Sequence, residues 1–269
     1  MRKRHAAHTA GNPPTTREIL LAQLQDLGIR QGDVLLVHTA FSRIAPIQGG
    51  VATLIESLLD VLGAKGTLVM PSMSYEDDVV FDAKETPCPE MGVVADSFWR
   101  LSGVQRSNNH HAFAALGPQA PWITQPHPWD VPHGLNSPAG RVYELGGQIL
   151  LLGVDHDANT CLHLAENLAG VRYRLPKHLT ILRDNQPTRV TYDEIDHCCQ
   201  NFQKMNQHLT ELGLQQTGHV GQGTGRLMPA RGLVDTAVTM LHADETCFLH
   251  PRGQCDECDL AWQSLASTS

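Results

Sequence analysis

Leu150-Leu-Leu-Gly-Val-Asp-His-Asp-Ala-Asn-Thr-Cys-Leu-His-Leu-Ala-Glu166 runs from an apolar strand through a polar loop into the first turn of a helix. The preceding run, Gln148–Val154, is the strongest central strand in the chain. In open α/β sheets the carboxyl end of such a strand is where ligands bind. Asn159 or Thr160 can cap the helix, which puts His163 in its first turn. The helix dipole disfavours an imidazolium there, so a neutral His163 is expected, the form a general base requires. The spacing fits equally well a histidine that only bonds a loop carbonyl. Glu166, three residues on, shares the helical face but is expected to aim about a turn away.

The flanking sequence sets that strand in an α/β protein, a central sheet with flanking helices and a smaller lobe beside one large domain. Thr15-Thr-Arg-Glu18 has the form of a capping box, followed by Leu20, Leu24 and Leu27 on one helical face and Gly28 at its end. Val34–His38 reads as a buried strand. Gly49-Gly50 opens a helix with Leu54, Ile55, Leu58 and Leu62 inward, and Thr67–Pro71 is the next strand. Helices are expected at Met91–Leu101, Thr160–Ala169, Glu194–Leu212 and near Leu233–Leu241. Strands are expected at Ala112–Gly117 and Thr246–Leu249. Residues 118–140, rich in Pro, His and Gly, read as a long ordered binding loop.

A formal charge of −8, from 28 acidic and 20 basic residues, argues against nucleic acid as the partner and suits a cationic ligand. The apolar runs are too short to cross a bilayer, so no membrane partner is expected. Arg2, Lys3 and Arg4 are followed by no apolar segment. A disordered arm is therefore expected over 1–14, a single domain over 15–269, and a cytoplasmic location. Seven cysteines, an odd number, point to free, buried or metal-bound thiols.

Three further groups carry chemistry. In Asp193-Glu-Ile-Asp196 an extended backbone would turn Glu194 and Asp196 to one side, where they could cradle ammonium groups or orient His163. A solvated helix start would look the same. Arg106-Ser-Asn-Asn-His110 suits an anion, as would any polar surface loop. Cys255-Asp-Glu-Cys258 has zinc-knuckle spacing, and His197, Cys199 and His250 could complete four ligands. The expected set is Cys199, His250, Cys255 and Cys258, with free thiols as the alternative. Gly221-Gln-Gly-Thr-Gly225 follows no strong apolar strand and is no dinucleotide fingerprint.

Val37-His-Thr-Ala-Phe-Ser42, Gly66-Thr-Leu-Val-Met-Pro71, Arg106–His110, Asn136-Ser-Pro138 and Leu150–Glu166 together resemble the aminoglycoside 3-N-acetyltransferase family. Gly153–Thr160, His163–Glu166, Asp196-His-Cys-Cys199 and Cys255–Cys258 make the resemblance closest to its type IV, apramycin-acetylating subclass. The resemblance implies a fold unrelated to the GCN5-related acetyltransferases. It also implies transfer from acetyl-CoA to the 3-amine of a 2-deoxystreptamine ring, and hence antibiotic resistance. His163 matches the catalytic histidine, and Glu194 and Asp196 the acidic residues beside it. Asp77 and His133, with Glu166, fall at the aminoglycoside walls. Thr39, Ser42, Arg106, Ser107 and His110 fall near the coenzyme, where an amide or hydroxyl near Ser107 would hold the oxyanion. Two departures, His110-His111 for His-Pro and Thr39-Ala40 for two serines, lie in that same neighbourhood. A monomer or homodimer is expected. The rival readings are a Ser/His hydrolase, which the lack of a Gly-x-Ser-x-Gly elbow disfavours, and a zinc-stabilised binder of polycations.

Overall fold

Strand residues alternate between two cores, and that alternation builds the molecule. Leu35 and Val37 face one hydrophobic cluster, Leu36 the other. Likewise Leu150 and Leu152 face the first, Ile149 and Leu151 the second. A sheet apolar on both sides must be covered on both sides.

The computed structural model describes residues 13–267. In chain order the elements are α1 (Arg17–Asp26), β1 (Val34–Thr39), α2 (Phe41–Ile44), α3 (Gly50–Leu62) and β2 (Thr67–Pro71). Next come α4 (Gly92–Phe98), β3 (Gln105–Arg106), β4 (Phe113–Leu116), α5 (Ala120–Ile123), α6 (Pro138–Glu144) and β5 (Gln148–Leu152). Then follow α7 (Cys161–Ala169), β6 (Leu175–Arg183), β7 (Gln186–Glu194) and α8 (Lys204–Glu211). The last are β8 (Gln216–Val220), β9 (Gly223–Pro229), α9 (Ala230–Ala243) and α10 (Asp256–Ser267).

Seven strands form one sheet in the order β3-β4-β2-β1-β5-β9-β8, and β6-β7 stands apart as a hairpin. β1 pairs parallel with β2 on one side and with β5 on the other. Antiparallel β4 and β9 flank this parallel centre. Helices α1, α3 and α4 cover one face; α5 to α9, joined by α10, cover the other. Because β1 has a parallel neighbour on each side, the chain leaves its carboxyl end in both directions. A crevice opens at that switch point.

Several expected boundaries move. The cap of α1 is Thr16, which accepts from the Ile19 amide at 3.4 Å, because Thr15 is tied to Ile47 in a β-bridge. The segment 118–140 contains α5 and the start of α6, the latter capped by Ser137 accepting from Gly140 N at 3.1 Å. No helix spans Glu194–Leu212: β7 ends at Glu194, a loop and one 3-10 turn follow, and α8 begins at Lys204. Thr246–Leu249 is a turn with no strand partner among the described residues. Of the arm expected over 1–14, residues 1–12 lie outside the described residues. Gly221-Gln222 is the tight turn of the β8–β9 hairpin.

Gly153 closes β5 at φ +66, and a Cβ there would lie 2.9 Å from Ala40 O and 2.9 Å from Arg43 Cβ. Only glycine lets the β1–α2 turn come this close to the end of β5.

Candidate active site

A cavity of 360 Å³ opens at the carboxyl ends of β1, β2 and β5. Its wall includes Thr39, Pro71, Asn159 and His163, with Glu90, Asp157 and Cys199. Helix α7 aims at this space. Asn159 Oδ1 takes the Cys161 amide at 3.2 Å, so the cap is made by Asn159 while the Thr160 hydroxyl lies 3.4 Å from His38 Nε2.

His163 has a partner at each ring nitrogen, a carboxylate beneath and a thiol at the cavity. Its Nδ1 donates to Glu166 Oε2 at 2.7 Å. The other oxygen, Oε1, accepts from Tyr173 Oη at 2.6 Å and from His197 Nε2 at 2.7 Å. Glu166 has no solvent exposure, so an unpaired charge there would be costly. Burial opposes its ionisation, but His197 and His163 hold the carboxyl down at about 2. His197 is raised to about 10: burial works against its charge, and Glu166 outweighs burial. The Nε2 of His163 is left toward the cavity, with Cys199 Sγ 3.5 Å away. The ring stacks on His133 at 5.6 Å and meets Phe202 edge-on at 5.2 Å, so its orientation is fixed by packing.

This geometry overturns two expectations. Glu166 does not point a turn away toward substrate; it orients the base from beneath. And His163 is not held neutral by the helix dipole. Burial does push its pKa down, but Cys199 and the bonded Glu166 raise it well above the ordinary histidine value. Direct hydrogen-bond partners on both ring nitrogens favour the charged form more than burial disfavours it.

Glu194 and Asp196 part company. Glu194 accepts from Tyr192 Oη at 2.9 Å and lies 4.0 Å from the Nε2 atoms of both His111 and His133. Burial raises its carboxyl above the usual range, against the pull of Tyr192 and His163. Asp196 pairs instead with Lys177 Nζ at 2.5 Å rather than with His163. Burial and neighbouring histidines depress His111 to about 3 and hold His133 well below the ordinary histidine value, so both stay neutral. Asp77 lies within electrostatic reach of Lys177 and Tyr192, on this same acidic side.

The anion-binding expectation for 106–110 fails. Arg106 uses its guanidinium on Ser72 Oγ at 3.0 Å, Ser72 O at 2.5 Å and Thr86 O at 2.6 Å, between the rings of Phe81 and Trp99. Ser107 is fully buried, its Oγ accepts from Phe113 N at 3.1 Å, and it is not on the cavity wall, so its hydroxyl does not face the site where an oxyanion would form. His110 bonds Val79 O at 2.8 Å and faces a separate hollow. His111, placed by resemblance near the coenzyme, bonds Tyr192 Oη at 3.2 Å on the acidic side. Thr39 and Ser42 do line a second groove of 380 Å³ with Glu90 and Met91, and Thr39, Glu90 and Met91 also belong to the main cavity.

The candidate zinc ligands also regroup. Cys198, Cys255 and Cys258 bring their sulfurs within 4.8 Å of one another, whereas Cys199 turns to His163 and His197 is taken by Glu166. Sequence reading misses Tyr173 and Tyr192 at the site, and misses His197 as a support of Glu166. Nothing in their local sequence marks them, because each acts through a partner in the folded site.

Over residues 36–242 the chain matches the family model described as aminoglycoside 3-N-acetyltransferase. It is 50% identical over 234 residues to aminoglycoside N(3)-acetyltransferase IV of Salmonella sp, covering 86% of this chain and 89% of that protein. Its fold matches the crystal structure of a histidine-to-alanine mutant of aminoglycoside acetyltransferase AAC(3)-IVa in complex with a gentamicin. That match has TM-score 0.92 and 48% identity, over 95% of this chain and 99% of the other. The same mutant in complex with apramycin matches at TM-score 0.86 and 46% identity, over 92% and 100%. AAC-IIIb, solved as a binary complex with CoASH, matches at TM-score 0.75 and 27% identity, over 86% and 97%.

Proposed function

The chain belongs to the aminoglycoside 3-N-acetyltransferase family, and from that footing we propose how its own residues acetylate the 3-amine of apramycin- and gentamicin-type aminoglycosides from acetyl-CoA. One observation carries the reading: His163 is anchored through Nδ1 to a carboxylate sealed under three donors, while Nε2 faces the cavity at the strand ends.

An ammonium group cannot attack a thioester, so one amine must lose its proton. His163 Nε2 takes that proton, and Glu166 keeps the ring aimed and stabilises the imidazolium that results. The amine nitrogen then bonds the acetyl carbon, the carbon–sulfur bond breaks, and the nitrogen's second proton passes to the departing sulfur, so the coenzyme leaves as its thiol. Glu90 and Asp157 on the cavity wall, with Glu194 and Asp77 beside the histidines, attract the substrate's remaining ammonium groups. Asp196, already paired with Lys177, serves to hold β6 against the end of β7. The coenzyme arm lies in the groove along Thr39 and Ser42. With Arg106 occupied inside the fold, exposed Arg43 of α2 is a cation available for its phosphates. The Cys198–Cys255–Cys258 cluster is not on the cavity wall and takes no part in the transfer.

The test is thiol release from acetyl-CoA in the presence of apramycin, with the product's acetylated nitrogen located by NMR. Release that needs both substrates and gives the 3-N-acetyl product supports the reading. Release from acetyl-CoA alone would make the protein a hydrolase. Apramycin binding without release would make it a polycation binder.

A further inference from the structure

Cys198 leads out of the loop after β7, while Cys255 and Cys258 lie at the start of α10. All three sulfurs fall within 4.8 Å of one another, and Cys198 Sγ is 3.7 Å from Cys258 Sγ. A cysteine used only for packing sits singly among apolar side chains, as fully buried Cys161 does. Three converging thiols, two of them only half-buried, need another explanation. The sulfurs of a tetrahedral site with Zn–S bonds of about 2.3 Å stand about 3.8 Å apart, which the Cys198–Cys258 separation matches.

We infer that Cys198, Cys255, Cys258 and His250 form a structural zinc site that pins the 197–199 segment beneath the active site. The fourth ligand rests on its own observation. His250 Nε2 is buried and has no hydrogen-bond partner among the described residues. The residue is held at the cluster by its backbone, whose N–H points at Cys258 Sγ and whose carbonyl accepts from Trp262 Nε1 at 2.8 Å. The ring nitrogen lies outside the set formed by the three sulfurs, so rotation of the side chain is the movement that completes the tetrahedron. Three thiolates and an imidazole in tetrahedral array select zinc among the common divalent ions.

The placement gives the metal a task. Cys198 is flanked by His197, which donates to Glu166, and by Cys199, whose sulfur lies against His163. A metal bound there ties α10 to this segment and fixes the second support of the carboxylate that aims the base. The inference stands apart from the identity of the substrate, since metal content is read without turnover.

The test is metal analysis of the full chain, purified without chelator and without a metal-affinity tag, beside Cys255→Ser and His250→Ala. The expected result is about one zinc per native chain, none in Cys255→Ser, and affinity weakened at least about tenfold in His250→Ala. Cobalt(II) exchanged into the native chain should give the intense visible bands of a tetrahedral site with thiolate charge transfer. A metal-free native chain would overturn the site, whether its thiols are free or mass spectrometry shows a Cys198–Cys258 disulfide. Unchanged zinc affinity in His250→Ala would overturn the fourth ligand. Chelation that strips the zinc yet leaves turnover unchanged would overturn its role as a support. Should Cys255→Ser fail to fold, zinc content and the cobalt spectrum of the native chain decide the matter.

Discussion

At His163 burial works against the charged ring, and the two groups bonded to it, Cys199 and then Glu166, prevail. The consequence is a pH dependence whose sign is fixed. A base works only when unprotonated. With its pKa raised above the ordinary 6.5, the rate climbs as pH rises through the raised value, so the acid limb lies above the usual histidine range. In Glu166→Gln that limb should move down toward the ordinary value, and kcat should fall by about 10–100-fold. A pH profile of kcat/KM for both proteins checks this, and an unmoved limb would separate Glu166 from the base. The candidacy of His163 was legible in the sequence because strand, loop and helix start lie in one short stretch. Its protonation was not, since only the fold shows that Glu166 points inward and meets Tyr173 and His197. Arg106 failed for the opposite reason: its sequence suits an anion, but its neighbours in space supply every acceptor it needs.

At the scale of elements, the strands and helices with unbroken apolar periods, β1, α3, β2, β5 and α7, were all legible. The β6–β7 hairpin was not, because only Leu179, Thr180 and Val190 along it are buried and no apolar alternation survives. Its turn did leave a signal: Asp184 and Asn185 take φ +52 and +61, as a two-residue hairpin of this type requires. Asn185→Val should therefore cost about 1–2 kcal/mol in chemical denaturation, whereas Asn185→Gly should be neutral or stabilising. Gly153 makes a second prediction at this scale. Gly153→Ala meets both a left-handed φ and the backbone of the β1–α2 turn, so stability should drop by about 1–3 kcal/mol. Because α2 lines the groove proposed for the coenzyme, KM for acetyl-CoA should rise more than KM for apramycin, as initial rates with each substrate varied would show.

The whole molecule brings β1, α7, the end of β7 and the loop after β2 to one crevice, a convergence no local pattern announces. The architecture was legible as a class, from alternating helices and strands, but the order of the sheet was not, since it depends on pairings between distant segments. The acidic balance of −8 has its effect at this scale as well. Attraction of a polycation across solvent is screened over about 10 Å at 0.1 M salt and about 3 Å at 1 M. KM for apramycin should therefore rise steeply with ionic strength while kcat stays nearly constant, and a salt series of initial rates checks it. His163 at the strand ends is the proposed base for acetyl transfer. Its most direct test is turnover of acetyl-CoA and apramycin, both saturating, by the native protein and by His163→Ala. Loss of the base should lower kcat by about 10²–10⁴-fold with the apramycin KM little changed; a His163→Ala variant turning over at near-native rate would rule His163 out as the base.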